Sequence, residues 1–326
     1  YSNIVVRAIL PAALYFLGVF ITVHFEAKKE GLRGLTKDEL PRFLPLLKQS
    51  YLMLPLTILI ALVSSGSRSI AYAAAIAIVA TIIVGIFNKE DRITFKRIWE
   101  ALAAGGQGMI TVAAACGVAG IIAGTITMTG LANMLINGIV ALAGNQVIIA
   151  LVLTMLCCIV LGMGVPTTAN YCIMAATCAP ILIRMGVPPL AAHFFVFYFG
   201  SVADLTPPVA LAAYAGAAIA QANPMKTAFT ATKLAIGAFI VPYVFALNPA
   251  MLIVDTTAPE VILIVITSLI GIFAVSSALE GYMLHRMKWF ERVIAVAGGL
   301  LLIYPGIVTD VIGLSLAAVV VLIQLL

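Results

Sequence analysis

The hydrophobic positions of the chain form long continuous runs, and the polar residues gather in short stretches between them. A run of about 20 apolar residues is the length that an α-helix needs to cross the hydrocarbon core of a bilayer. A transmembrane β-barrel would instead need segments of about ten residues with alternating apolar and polar positions. The pattern therefore predicts membrane-embedded helices in the following apolar segments: 3–25, 51–87, 101–183, 190–222, 228–247, 260–279, 293–304 and 307–326.

Segments 51–87 and 101–183 are each too long for one helix that crosses a bilayer. As a single helix, residues 51–87 would measure about 55 Å against about 30 Å of hydrocarbon, and the string SSGSRS at 64–69 predicts a turn between two spans. Residues 101–183 contain no Asp, Glu, Lys or Arg and have room for about four crossings or partial crossings. Their predicted break points are 129–130, 144–145 and the string LGMGVPTTAN.

The charged residues are concentrated in a few stretches between the apolar runs. Residues 28–50 mix basic and acidic side chains with spaced leucines, which is typical of an amphipathic helix lying on the membrane surface. Thr36, followed by Lys37, Asp38 and Glu39, suits the N-cap of that helix. By the positive-inside rule, this stretch and the basic loop at 89–97 lie on the cytoplasmic side.

The string LGMGVPTTAN places polar and helix-breaking residues inside a charge-free stretch. Gly162 and Gly164 permit backbone conformations that other residues avoid, and Pro166 suits the first turn of a new helix. Irregular backbone inside a membrane is tolerated only where it is buried in protein or lines a cavity. Residues 145–184 are therefore predicted to form a helical hairpin whose tip carries the polar residues Thr167, Thr168 and Asn170. An ordinary turn at the membrane surface fits the same spacing.

A second break lies in the string SVADLTPPV. Residues 190–222 are too long for one span, and Asp204, Thr206, Pro207 and Pro208 interrupt them. We predict a discontinuous helix, with Thr206 as N-cap and the two prolines in the first turn of the second half. Asp204 is the only charged residue between Arg184 and Lys226, and a lone acid in a membrane segment marks an ion or proton path. An interfacial loop with a solvated Asp204 is the alternative.

Composition supports a membrane protein and excludes several other classes. The 326 residues are 63% hydrophobic and 10% charged, whereas soluble domains are about 25% charged. The net charge of +5 is dispersed among short loops, so it predicts no nucleic-acid partner. The five cysteines lack the spacing of a zinc site and are predicted to be buried free thiols.

At the two breaks the sequence resembles a known family. The strings LGMGVPTTANYCIMAATCAPIL and GVPPLAAHFFVFYFGSVADLTPPVALAAYAGAAIA resemble the large membrane subunit of TRAP transporters, in particular the fused permeases that work with TAXI-type binding proteins. The first string of the chain, YSNIVVRAILPAALYFLGVFITVHFEAKKEGL, resembles the middle of such a fused chain. The likeness covers most of residues 1–250, and residues 255–326 resemble the accessory tail of these permeases more loosely.

This resemblance implies an all-α polytopic membrane protein with an ion-transporter-superfamily-like elevator fold, containing a helical hairpin and a discontinuous helix. The implied organisation begins with a transmembrane helix at 1–27, an amphipathic arm helix at 28–50 and scaffold helices at 51–104. The second repeat of a transport domain follows at 105–250, and C-terminal accessory transmembrane helices follow at 255–326. The first repeat and a small-subunit portion are expected upstream in the same chain, of which this sequence would be a piece.

The resemblance also implies sodium-coupled uptake of an organic anion, mostly a carboxylate, across a bacterial or archaeal cytoplasmic membrane. A periplasmic TAXI-type binding protein delivers the substrate, and sodium ions are the only cofactor-like species. Ion and substrate roles carry over to two sets of residues: Gly162, Gly164, Pro166, Thr167, Thr168 and Asn170 in the hairpin, and Ala203, Asp204, Thr206, Pro207 and Pro208 in the broken helix. The sodium candidates among them are Gly164, Thr167, Asp204 and Thr206.

Two other classes of function remain open from the residues alone. An intramembrane enzyme would use Asp204 as an acid or base, but such chemistry usually needs a second catalytic group within hydrogen-bond reach, and no other acid lies in an apolar segment nearby. A purely structural membrane module would not need two polar breaks, because each costs stability. We therefore expect a transporter rather than an enzyme.

Overall fold

The structure is a computed structural model of the chain that describes residues 2–36, 40, 47, 49–65, 69–88, 92–144 and 146–325. All regular secondary structure in this part of the chain is helical, and its β-structure is limited to an isolated bridge between Tyr282 and Arg286. The prediction of an all-α polytopic membrane protein is confirmed.

Among the described residues, five helices are long and apolar enough to cross a membrane: Asn3–Lys29, Ile70–Phe87, Pro224–Leu247, Ala258–Glu280 and Ile307–Leu325. A further pair, Cys116–Met128 and Leu131–Ala143, meets the same criterion only together and is bent by 70° at the predicted break 129–130. Gly130 has φ +72° at this bend, a conformation that glycine adopts without steric cost.

The chain divides into two compact units. The first unit comprises residues 1–9 and 33–111, and the second comprises 10–32 and 112–326. In the first unit, helix α2 (Leu54–Ser65) packs against α3 (Ile70–Phe87). The loop predicted between them falls mostly on residues 66–68, outside the described part. Ser69 caps α3 by accepting a hydrogen bond from the backbone N–H of Tyr72.

Helix α1 (Ser2–Lys29) ends where the amphipathic arm helix was expected to begin. Gly31 adopts φ +67°, and the N–H of Leu32 bonds back to the carbonyl of Ala27, which is a typical glycine-terminated helix end. Residues 32–36 are not helical, so a surface helix in 28–50 would begin no earlier than the predicted cap at Thr36, and it stays a prediction. Residues 37–39, 41–46 and 48, with most of the proposed cap sequence, lie outside the described residues.

Helix α4 (Phe95–Met128) runs without interruption from the amphipathic lead-in into the charge-free stretch. Its glycines do not end it, since an internal glycine costs only about 1 kcal/mol and no proline is present. The remaining helices all belong to the second unit: α5 (Leu131–Ala143), α6 (Val147–Gly162), α7 (Thr167–Thr177), α8 (Ala179–Arg184), α9 (Pro189–Val202), α10 (Leu211–Ala220), α11 (Pro224–Leu234), α12 (Ile236–Leu247), α13 (Ala258–Glu280), α14 (Trp289–Leu301) and α15 (Ile307–Leu325).

The three C-terminal helices pack closely on one another through small residues. The carbonyl of Gly299 in α14 would lie 2.9 Å from a Cβ placed on Gly271 in α13, so only glycine permits this approach. Glu291 is buried, and its Oε2 accepts a hydrogen bond from Nε2 of Gln324 in α15 at 2.6 Å.

The cysteine prediction is only partly right. All five cysteines are free thiols, but only Cys158 and Cys178 are buried. Cys116 and Cys157 are half-buried, and Cys172 is exposed because its position on α7 faces away from the neighbouring helices.

Candidate functional site

The first predicted break forms a helical hairpin with a tight tip. Helix α6 ends at Gly162, α7 begins at Thr167, and Gly164 between them adopts φ +71°. Pro166 is the residue immediately before α7, where its missing N–H costs nothing. Helix α6 has 16 residues and measures about 24 Å, which is shorter than the roughly 30 Å of a bilayer's hydrocarbon core. The base residue Asn145 lies outside the described residues.

The second predicted break forms a discontinuous helix. Helix α9 ends at Val202, a 3-10 turn covers Ala203–Leu205, and α10 starts at Leu211. The irregular loop ends at Ala210, which has φ +35° in the left-handed region. Helix α9 has 14 residues, about 21 Å, so neither half spans a bilayer alone. We call residues 203–210 the break loop and residues 162–170 the hairpin tip.

Thr206 does not cap the second half-helix as the sequence predicted. Its hydroxyl donates to the carbonyl of Val202 at 2.8 Å, so it closes the end of the first half. An N-cap side chain accepts from an N–H two or three residues later, and the proline at 208 removes the nearer of those donors. Pro207 and Pro208 therefore lie in the loop and not in the first turn of α10.

The structure brings the hairpin tip and the break loop into direct contact. A Cβ placed on Gly162 would lie 2.8 Å from Cβ of Ala203 and 2.7 Å from Nδ2 of Asn170. A Cβ on Gly164 would lie 3.9 Å from Cγ1 of Val209. The absence of a side chain at Gly162 is thus what permits the tip to pack against the broken helix.

Asn170 is the buried polar residue at this contact, with 1% of its surface exposed. Its Nδ2 donates to the carbonyl of Gly200 in α9 at 3.0 Å, which ties the hairpin to the broken helix. Its Oδ1 is buried and has no hydrogen-bond partner. A buried acceptor without a partner costs about 1–3 kcal/mol, so such an atom needs an explanation.

Backbone carbonyls near the break fall into two groups. Three carbonyls accept hydrogen bonds from side-chain hydroxyls. Thr206 donates to the carbonyl of Val202, Thr232 Oγ1 in α11 donates to the carbonyl of Leu205 at 3.1 Å, and Tyr214 donates to the carbonyl of Pro208. In contrast, no donor among the described residues reaches the carbonyl oxygens of Gly164 or Asp204. The site therefore retains free oxygen acceptors on both the tip and the break loop.

The remaining predicted residues occupy the open side of the same site. Gly164, Pro166, Thr167 and Thr168 are exposed at the tip, and Pro208 is exposed in the break loop. Asp204, Thr206 and Pro207 are half-buried, and Ala203 is fully buried.

The charges and dipoles on this open side favour ligands of both signs. Asp204 takes part in none of the ion pairs within the described part of the chain, so its carboxylate charge is uncompensated there. No side chain caps α7, which leaves the N–H groups of its first turn available at the positive end of the helix dipole.

The sequence analysis did not identify two residues outside the predicted set that form hydrogen bonds to the site. Gly200 accepts from Asn170, and Thr232 supports the break loop from α11. Gly200 carries a weak sequence signal, because small residues mark close helix crossings in membranes, whereas Thr232 carries none. A cavity of about 640 Å³ lies elsewhere, at the hairpin base between Gln146, Pro188 and Leu247.

Comparison with protein families gives two matches along the chain. Residues 1–261 match the family model described as "Tripartite ATP-independent periplasmic transporter, DctM component". Residues 261–319 match a domain of unknown function, DUF3394. No curated protein and no solved structure matches the chain. Large components of this kind work with a periplasmic binding protein and a small subunit. The chain therefore belongs to the DctM family, the large multi-pass membrane component of TRAP-type secondary transporters.

Proposed function

We propose that this chain couples the inward movement of sodium ions to the uptake of an organic anion, in a bacterial or archaeal cytoplasmic membrane. The observation that carries the proposal is the contact between the hairpin tip and the break loop, with free oxygen acceptors on both sides. Unwound backbone of this kind is where secondary transporters hold coupling ions. The chain is accordingly proposed to transport a substrate and not to catalyse a reaction.

Several oxygen atoms at the site suit a small hard cation. Oδ1 of Asn170 and the carbonyls of Gly164 and Asp204 lack hydrogen-bond donors among the described residues. The hydroxyl of Thr206 donates a hydrogen bond to the carbonyl of Val202, and its oxygen keeps a lone pair that can bind a cation. Thr167 adds an exposed hydroxyl at the tip, and the Asp204 carboxylate supplies negative charge nearby.

The start of α7 supports the anion half of the proposal. Its uncapped N–H groups and the exposed hydroxyls of Thr167 and Thr168 are hydrogen-bond donors at a positive helix end. A substrate carboxylate bound there would offset the sodium charge in the neighbouring site. Movement of the loaded site across the membrane in an elevator step is then favoured over movement with sodium alone, which prevents leakage of the gradient.

The partners follow from the resemblance of the two long motifs to fused permeases. We propose a TAXI-type periplasmic binding protein as the donor of substrate, and a small-subunit portion with the first repeat upstream in the same chain. The first repeat would supply a second hairpin and a second broken helix on the other side of the substrate.

Sodium-dependent thermal stability tests the proposal without knowledge of the substrate. A ligand that binds only the folded state stabilises it by about 2.7 kcal/mol at a concentration one hundred times its dissociation constant. We expect the unfolding temperature of the whole transporter in lipid nanodiscs to rise with NaCl and to stay constant when KCl replaces NaCl at equal ionic strength. Equal unfolding temperatures in the two salts would contradict sodium binding.

A further inference from the structure

A second polar cluster lies in the same unit, outside the candidate site. Four charged side chains meet where α1, α11 and α13 come together: Glu26, Lys29, Lys233 and Glu280. Lys233 Nζ lies 2.5 Å from Oε2 of Glu280, and Lys29 Nζ lies 3.0 Å from Oε2 of Glu26. Cross pairs of 3.8 Å and 3.7 Å join Lys29 to Glu280 and Lys233 to Glu26. These four side chains are two acids and two bases, so their formal charges cancel, and Glu30 lies at the margin, 4.0 Å from Lys29.

Glu280 is the unusual member of this cluster. Its side chain is 0% exposed, whereas those of Lys233 and Lys29 are 33% and 27% exposed. Its Oε1 is buried without a hydrogen-bond partner. Well-packed apolar side chains often stabilise a contact between helices at least as much as a buried ion pair does. Stability alone is therefore a weak reason for a carboxylate at this position. Glu280 also lies in the segment that matches the domain of unknown function.

The cluster is connected to the break loop through two adjacent residues near the end of α11, Thr232 and Lys233. Lys233 follows Thr232 directly in the chain, and the hydroxyl of Thr232 is shared between the carbonyl of Leu205 in the break loop, at 3.1 Å, and that of Ala228 in its own helix, at 2.9 Å. The ion pair with Glu280 therefore fixes the position and rotation of the α11 end that presents Thr232. Helix α1 is also held on α13 about one turn from the cluster, by the hydrogen bond from Thr22 Oγ1 to Ser276 Oγ, at 3.0 Å.

We infer that Glu280 is a positioning residue, through which the C-terminal segment holds the break loop in the shape of the candidate site. It acts through Lys233 and Thr232 and touches neither ion nor substrate. Its effect on sodium binding rests on the proposed function, whereas its effect on the order of the break loop does not.

Hydrogen–deuterium exchange at the break loop tests this inference directly. In the Glu280→Gln variant of the whole transporter, we expect the amides of Thr206 and Ala210 to exchange about five-fold faster, as the loss of one net hydrogen bond implies. Both amides are hydrogen-bonded in this structure, to the carbonyls of Ala203 and Thr206. Thr232→Val should give the same change while it keeps every charge. The double variant should exchange no faster than the faster single variant, because both changes break one connection.

Glu291→Gln is the matched control. Glu291 is another buried carboxylate of the C-terminal segment, but it bonds to Gln324 of α15 and not to α11. It should lower the unfolding temperature without changing exchange at the break loop. If Glu280→Gln does not fold, Lys233→Gln takes its place in the test. In Lys233→Gln, Glu280 still has Lys29 within 3.8 Å.

The outcomes separate this inference from the proposed function. Unchanged exchange in Thr232→Val, or an equal increase in the Glu280 and Glu291 variants, would overturn the positioning role. Faster exchange confined to the Glu280, Lys233 and Thr232 variants supports it, whether or not sodium stabilises the protein. If sodium does stabilise the wild type, the same three variants should need several-fold more sodium for half of the effect.

Discussion

The hairpin tip and the break loop form the two sides of one site, but different forces hold them. The break loop is supported by side chains from outside it, since Thr232 and Tyr214 donate to its carbonyls. The tip is held by the steric fit of Gly162 on Ala203 and by one hydrogen bond, from Asn170 to Gly200, and the carbonyl of Gly164 lacks a donor in the described part of the chain.

This difference indicates how the two sides contribute to binding. The loop is preorganised by hydrogen bonds that persist without a ligand, so it offers a fixed set of oxygens. The tip depends on the close approach at Gly162, and a ligand between the two sides would satisfy the acceptors that are unpaired in this structure, at the tip and at Asp204. Substitutions at the tip should therefore have larger effects than substitutions in the loop.

The largest effect is expected from Gly162→Ala. The new Cβ would lie 2.7 Å from Asn170 Nδ2 and 2.8 Å from Ala203 Cβ, so the tip must move away from the loop. Overpacking of this kind costs about 1–3 kcal/mol, and displacement of the tip should also abolish the stabilisation by sodium. Thermal unfolding in NaCl and KCl measures both effects.

The control for this variant is Gly216→Ala in α10. A Cβ there meets no atom within 4 Å, and replacing a glycine inside a helix by alanine stabilises it by about 0.5–1 kcal/mol. If Gly162→Ala unfolds like the wild type and keeps its sodium response, the close contact between tip and loop is not required.

An intermediate effect is expected from Asn170→Ala, which removes the bond to Gly200 and the unpartnered Oδ1 together. Loss of one ligand to a charged species corresponds to about a ten-fold rise in the sodium concentration for half-maximal stabilisation. Thr177→Val on the same helix is the control, since Thr177 is equally buried but donates to the carbonyl of Ile173 within α7. Equal sodium responses in the two variants would exclude Asn170 as a ligand.

The positions of both breaks could be predicted from the sequence, whereas the contacts between them could not. Glycine and proline act on their own backbone, so Gly164 and Pro166 mark a turn wherever the rest of the chain lies. The partner of Asn170 is 30 residues away and that of Leu205 is 27 residues away, and no local rule pairs them. The helical membrane fold could also be predicted locally, because the length and composition of an apolar run are enough to indicate a membrane helix.

The smallest effect is expected from Thr206→Val, which tests the loop side of the comparison. Valine keeps the shape of threonine but loses the hydrogen bond to Val202, so the variant should be destabilised by only about 1 kcal/mol. Ser201→Ala is the matched control, because Ser201 donates to the carbonyl of Phe197 in the same helix with the same spacing. If the Thr206 oxygen binds sodium, Thr206→Val raises the half-saturating sodium concentration while Ser201→Ala lowers stability alone. Equal sodium dependence in the two variants would leave Thr206 with a capping role only, and the free acceptors of the site would then be those of the tip and Asp204.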